Sequence, residues 1–358
     1  MHLNRLYLRD FRCFDCVDIQ PEPGVNFITG GNATGKTSLL EAVFLLGRGQ
    51  SFRPGRSREL VRDGAPDHFV IHGRFLQRRS IQHRIGITNK TGSLRYKVND
   101  NLRAGRFDLI NAAPIQLIEP NLHRLFEMGP SYRRSFLDWG VFHVEQQFFP
   151  AWRQYKRALR QRNKALRKRQ RRDAISAWDD QLDMSARIIN TCRKTYVERL
   201  KRHLPNQVSN VLGEQSLQIR YESGWNTKIS FSDTLTRSLD SDIQRGFTQH
   251  GPHRADLYVS VDGVRAKERI SRGQQKVLIA TLLITQARIL KESVGITPII
   301  LVDDLAAELS NEFQSLLLAE INKLDCQCFA TFLDANDIPS AYPDSPVFHV
   351  EHNTVGRL

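Results

Sequence analysis

The chain has 358 residues, 40% of them hydrophobic, enough for one large core or two smaller domains. Lys plus Arg number 52 and Asp plus Glu 38, a formal charge of +14 that favours a polyanionic partner, either nucleic acid or an anionic membrane surface. No apolar run is long enough to cross a bilayer, the N-terminal residues alternate polar and apolar without a signal-peptide core, and five scattered cysteines make no disulfide framework. Transmembrane helices and a disulfide framework are therefore not expected, and a reducing cytoplasm is the expected compartment.

In chain order, Leu3 to Leu8 and Val17 to Ile19 read as strands that begin one sheet together with the apolar run Val25 to Thr29. Cys13 and Cys16 form a lone C-x-x-C with no second pair and no nearby histidine, which reads as two small residues beside a strand. Residues 30 to 37, Gly30, Gly31, Asn32, Ala33, Thr34, Gly35, Lys36 and Thr37, fit the phosphate-cradling pattern G-x-x-x-x-G-K-[ST] without a mismatch. A short buried strand precedes them and a helical run, Thr37 to Leu46, follows, which is the context that pattern needs. The glycines let the backbone turn its N–H groups toward phosphate oxygens, and the helix start adds partial positive charge. Lys36 is expected to reach the outer phosphates of ATP, and the Thr37 hydroxyl to ligate Mg²⁺. A glycine turn entering a helix accounts for the glycines but not for the lysine.

The glycine- and arginine-rich loop Gly47 to Arg56 follows, with Ser51 and Arg53 as candidate contacts to nucleotide or DNA phosphate. Phe69 to Phe75, Ile81 to Thr88 and Leu94 to Asn99 alternate between turn signals and predict an antiparallel meander. From 121 to 206 the pattern is helical, an inserted arm dividing a first segment, 1–120, from a second, 207–358. Arg153 to Arg172 contains eleven Lys and Arg residues without an acid, so no intrahelical pairs relieve their repulsion. Arg153, Lys156, Arg157, Arg160, Lys164 and Arg167 are the candidate DNA contacts. The competing reading, a solvated basic face with Leu159 and Leu166 packed inward, weighs about equally on this stretch alone.

Beyond the arm, Thr248 to Asp256 opens with a turn and leads into a strand, Leu257 to Val261, with a hairpin at Asp262-Gly263. Ser271-Arg272-Gly273-Gln274-Gln275-Lys276 stands before a helical run, Val277 to Leu290, and suits either an anion or an ordinary serine N-cap. The strand Pro298 to Val302 ends in Asp303-Asp304, the first placed to hold Mg²⁺ and the second to orient or deprotonate a water. Thr331 follows the strand Cys326 to Ala330.

A phosphate loop near the start, S-R-G-Q-Q far downstream and an acid-tipped strand about thirty residues later resemble ABC-type ATPases. Within that class the chain is similar to the RecF family, on Phe11-Arg12, GGNATGKT with Leu40-Glu41-Ala42, Tyr132 to Asp138, Gln161-Arg162-Asn163, Gly251 to Asp256, SRGQQK and Asp303-Asp304. Ala33, where glycine is common, and Ser310, where the loop usually carries Asp, depart from the pattern. The resemblance implies an α/β fold, an ABC-type P-loop ATPase head of mixed sheet and antiparallel meander, with an inserted helical arm. It implies a weak, DNA-dependent ATPase using ATP and Mg²⁺, with catalytic Asp304 and Lys36 and with Thr37 and Asp303 at the metal. Ser271 and Gly273 would complete the site of a second subunit in an ATP-dependent homodimer. That dimer would clamp duplex DNA near single-strand gaps and help load RecA with RecO and RecR. Thr331 is expected near the γ-phosphate. A transporter-type ATPase subunit and a non-hydrolysing ATP-gated DNA clamp share the nucleotide motifs, whereas an SMC-type head would need a far longer insert.

Overall fold

The computed structural model describes residues 1–77, 81–90, 92–204, 215–304 and 310–358. They pack as two compact units, Met1–Leu122 with Leu290–Leu358, and His123–Ile289. The expected join between residues 206 and 207 lies outside the described residues. Residues 215–289 pack with the helical segment that begins at His123.

The first unit is built on two six-stranded sheets. One is antiparallel: β1 (His2–Phe11), β2 (Phe14–Ile19), β4 (Val70–Gln77), β5 (Ile81–Lys90), β6 (Ser93–Val98) and β7 (Asn101–Ala104), in the order β2-β1-β4-β5-β6-β7. The other comprises β3 (Val25–Thr29), β8 (Ile115–Ile118), β12 (Ile299–Val302), β13 (Cys328–Thr331), β14 (Val347–Glu351) and β15 (Thr354–Arg357). Its order is β15-β14-β3-β13-β12-β8, all pairing in parallel except β15. The sequence predicts β1 and β2 in the sheet of β3, and the structure separates them. The reason is visible in burial: β1 largely alternates, as an antiparallel strand with one covered face does, whereas all five residues of β3 are buried, as in a parallel strand covered on both faces. Helix α1 (Lys36–Arg48) buries ten consecutive residues, Ser38 to Gly47, and its apolar side chains share one core with Leu3, Leu6, Leu8, Phe75 and Leu301. It ends at Gly49, whose left-handed φ of 59° closes the last turn. Helix α2 (Arg106–Ala112) also belongs to this unit.

The second unit contains α3 (Arg124–Glu127), α4 (Pro130–Val144), α5 (Phe148–Arg167), α6 (Arg172–Ser176) and α7 (Asp179–His203). The helix Phe231–Arg245 and a three-stranded sheet of β9 (Leu217–Glu222), β10 (Asp256–Val261) and β11 (Val264–Arg265) pack with them. Helix α5 consists largely of good helix formers, and Ala151, Tyr155, Ala158, Leu159, Arg162, Ala165 and Leu166 are buried at three- and four-residue spacings. The buried Arg162 donates to Asp179 at 2.8 Å, to Asp242 at 2.7 Å and to the Thr248 hydroxyl at 2.8 Å. Asn163 Oδ1 accepts from the Thr248 amide, also at 2.8 Å. Arg193 grips Asp138 through two bonds of 2.8 and 2.9 Å and donates to the Pro252 carbonyl. Arg133 grips Asp256 in the same way. The Tyr132–Asp138, Gln161–Asn163 and Gly251–Asp256 motifs thus meet as the polar interior of this unit.

Candidate nucleotide and DNA sites

Gly30 and Gly35 shape the phosphate loop by backbone alone. Gly30 has φ 146° and lies against the Val350 carbonyl, where a Cβ would overlap; Gly35 has φ 120°, and its Cβ would sit 2.8 Å from both Cys13 Sγ and Phe14. Ala33 holds φ 62°, the left-handed region in which glycine is the unstrained residue. The Lys36 ammonium folds over the loop and donates to the Gly30 and Gly31 carbonyls at 2.5 and 2.7 Å. Burial lowers its pKa, against the opposing pull of Asp304 and Asp303.

Three parallel strands bring the rest together. β12 lies beside β13, and β13 beside β3, so their C-terminal ends adjoin the loop. The Thr37 hydroxyl donates to Asp303 Oδ1 at 3.1 Å, and the Thr331 hydroxyl donates to the same oxygen at 3.2 Å. The Asp304 amide donates to Thr331 Oγ1 at 2.7 Å. Burial raises the Asp303 pKa; the Thr37 and Thr331 bonds oppose the shift. Asp304 has φ 50°, a backbone position that carries strain in an L residue. Asn32, Ala33, Thr34, Gly35, Lys36, Thr37, Arg53, Asp303, Asp304 and Thr331 line one cleft of about 340 Å³ in the first unit. Thr331 lies inside β13 rather than after it, and its hydroxyl links the two acids, a contact that no spacing in the sequence announces.

The donor set suits magnesium. A hydroxyl and a carboxylate oxygen 3.1 Å apart match the edge of about 3.0 Å between neighbouring ligands of an octahedron with metal–oxygen distances near 2.1 Å.

No spacing in the sequence marks a partner for Glu41. This fully buried carboxylate of α1 accepts two bonds from Arg12, at 2.8 and 2.7 Å, and one from the Ser51 hydroxyl, with Arg53 at 3.8 Å. Ser51 therefore braces the loop by donating to Glu41 and accepting from the Arg53 amide at 2.8 Å, while Arg53 reaches the cleft.

Ser271 and Gly273 lie in the second unit. The helix Arg272–Val294 starts five residues earlier than the apolar run predicts, because Ser271 and Gln274 cap it reciprocally: the Gln274 amide donates to Ser271 Oγ at 3.2 Å and the Ser271 amide to Gln274 Oε1 at 3.0 Å. Gly273 stands in the first turn, where an added Cβ would meet nothing nearer than Ser271 Oγ at 3.9 Å.

On α5, Arg153, Lys156, Arg157, Arg160, Lys164 and Arg167 are all exposed, on the face opposite the buried residues. The expected repulsion is partly relieved: Arg162 is paired internally, Arg172 meets Asp240, Arg171 meets Asp173, and Lys156 lies 5.1 Å from the Trp152 ring centroid. Arg153, Arg157, Arg160, Lys164 and Arg167 make no ion pair among the described residues. The Cys13-x-x-Cys16 pair is free, Cys13 half-buried and Cys16 exposed. No described helix is long and apolar enough to cross a membrane.

Comparison with known proteins agrees with this geometry. The model of the RecF/RecN/SMC N-terminal domain matches residues 2–355. The DNA replication and repair protein RecF of Vibrio atlanticus is 36% identical over 357 residues, covering 99% of each chain, and that of Escherichia coli is 36% identical over the same length. A solved structure of the recombination mediator protein RecF with ATPrS, in the RecFOR pathway, matches with a TM-score of 0.88 at 27% identity, covering 100% of this chain and 98% of that one. An Smc head domain from Pyrococcus furiosus matches at 15% identity with a TM-score of 0.59, a likeness of fold. The motifs, the two sheets around the phosphate loop and these relatives agree, and the chain belongs to the RecF family of DNA replication and repair proteins, built on an ABC-type ATPase head.

Proposed function

We propose that the protein is a weak, DNA-stimulated ATPase whose ATP-dependent homodimer clamps duplex DNA near single-strand gaps, working with RecO and RecR to help RecA replace single-strand-binding protein. The observation that carries this reading is the single cleft in which Lys36, Thr37, Asp303 and Asp304 meet. ATP-bound relatives and the exposed cations of α5 support it.

Lys36 turns from the loop carbonyls to the outer phosphates and offsets their charge. Thr37 and Asp303 are the residues that would hold Mg²⁺, which when bound neutralises phosphate charge. Asp304 orients the attacking water and accepts its proton, and Thr331 keeps both acids in place. Ser271 and Gly273 offer the hydroxyl and amides of a helix start to the partner's ATP, so nucleotide is held fully only in the dimer. Loss of the outer phosphate then removes what joins the two heads, and DNA is released.

The test is Asp304→Asn. It is expected to leave ATP affinity within a few-fold and to cut turnover at least about a hundredfold, with ATP-bound dimers accumulating on DNA. Turnover equal to wild type would remove Asp304 from the chemistry. Absence of turnover in the wild-type protein, with dimers still formed on ATP, would favour the non-hydrolysing clamp.

A further inference from the structure

The first unit contains a second polar cavity, of about 480 Å³, beyond the C-terminal end of α1. Its wall carries the side chains of Arg12, Arg53, Arg56 and Arg106 together with Ser57 and Ser93. No Asp or Glu is among the described residues that line it. Glu41 is shared by Arg12 and Arg53, and Glu59 accepts from the Arg56 amide rather than from its side chain. Arg56 and Arg106 make no ion pair among the described residues. One N–H of Arg106 is used, by the Arg48 carbonyl at 3.1 Å, which leaves four of the five donors of its fork open. The Ser57 and Ser93 hydroxyls make no hydrogen bond among the described residues. Burial pushes the neighbouring Arg48 guanidinium down to about 9, and Arg106 beside it adds to that shift.

We propose that this cavity is a phosphate site separate from the nucleotide cleft, with Arg56 and Arg106 gripping the anion and Ser57 and Ser93 donating to it. Fork-shaped guanidinium groups lining one cavity with hydroxyls suit the oxygens of a phosphate, and the exposed Arg56, Ser93 and Arg106 suit one carried on a DNA backbone. Arg53 lines both the cavity and the nucleotide cleft, so the test is read at Arg56 and Arg106, which line only the cavity. The duplex part of the test rests on the proposed DNA-binding function; the phosphate part does not.

The experiment is arginine footprinting of the full chain with phenylglyoxal, read by mass spectrometry, with duplex DNA or inorganic phosphate as ligand and exposed Arg74 as the control. Duplex is expected to protect Arg56 and Arg106 several-fold and to leave Arg74 labelled. Protection by inorganic phosphate alone also supports the site and assigns it to a free anion. Duplex that protects Arg157 and Arg160 while Arg56 and Arg106 stay labelled, with phosphate equally without effect, overturns the site and leaves DNA binding intact. Protection of no arginine by duplex, with Arg56 and Arg106 protected by phosphate, overturns the DNA reading and keeps the site. Full labelling of both under both ligands overturns the proposal. In the double variant Arg56→Ser, Arg106→Ser, the slope of log affinity for duplex against log salt is expected to fall by about 0.9 for the single phosphate no longer neutralised, with ATP binding unchanged.

Discussion

Ala33 carries the one non-glycine left-handed backbone in the phosphate loop, at φ 62°. An L residue there costs about 1–2 kcal/mol, partly offset because glycine loses more chain entropy on folding. Ala33→Gly is therefore expected to stabilise the protein by about 0.5–1 kcal/mol, read as a higher denaturant midpoint at unchanged slope. At this scale the phosphate loop and the acidic pair were legible in the sequence, since each occupies consecutive residues with a fixed chemical task. Contacts between distant residues were not: Glu41 meets Arg12 and Ser51 through the turn of α1, and Thr331 meets Asp303 and Asp304 because β13 pairs with β12.

Among the elements, α5 separates two kinds of arginine that look alike in sequence. Arg162→Met leaves Asp179 and Asp242 buried without their cation and is expected to cost about 3–5 kcal/mol of stability. Arg157→Gln with Arg160→Gln is expected to change stability by less than about 0.5 kcal/mol at each site while reducing the salt slope of duplex binding by about 0.9 for each phosphate no longer neutralised. Thermal unfolding and anisotropy on the same variants check both. In the Gly251–Asp256 motif, His253 is held neutral: Tyr155 donates to Nδ1 at 2.7 Å and Nε2 donates to the Thr248 carbonyl at 3.0 Å. Burial lowers its pKa from 6.5 to about 4, with Arg254, Lys156 and Arg134 adding to the shift while the Thr248 bond opposes it. A folded pKa below the unfolded one means that its stabilising contribution is complete above pH 6.5. That contribution is lost as pH falls toward 4, at about 1.4 kcal/mol per pH unit. His253→Gln is expected to flatten the acid side of the stability profile between those values, measured by denaturant midpoints. The strands themselves were legible, but their partners were not, since alternation gives the number of covered faces and leaves the neighbour open; hence β1 and β2 fell into a sheet other than that of β3.

For the whole molecule, the proposed function makes each chain's site incomplete, with Ser271 and Gly273 serving a partner's nucleotide. The resemblance to ABC-type ATPases carried that reading in the sequence, where single motifs would not, because a serine at a helix start is also an ordinary cap and here performs that role. The most direct measurement is ATP turnover per chain against protein concentration, with and without gapped duplex, at low and moderate salt. Specific activity is expected to rise with concentration and to rise further with DNA, the DNA effect weakening as salt increases. Specific activity that is flat in concentration and indifferent to DNA would contradict it, and each chain would then hold a complete site of its own.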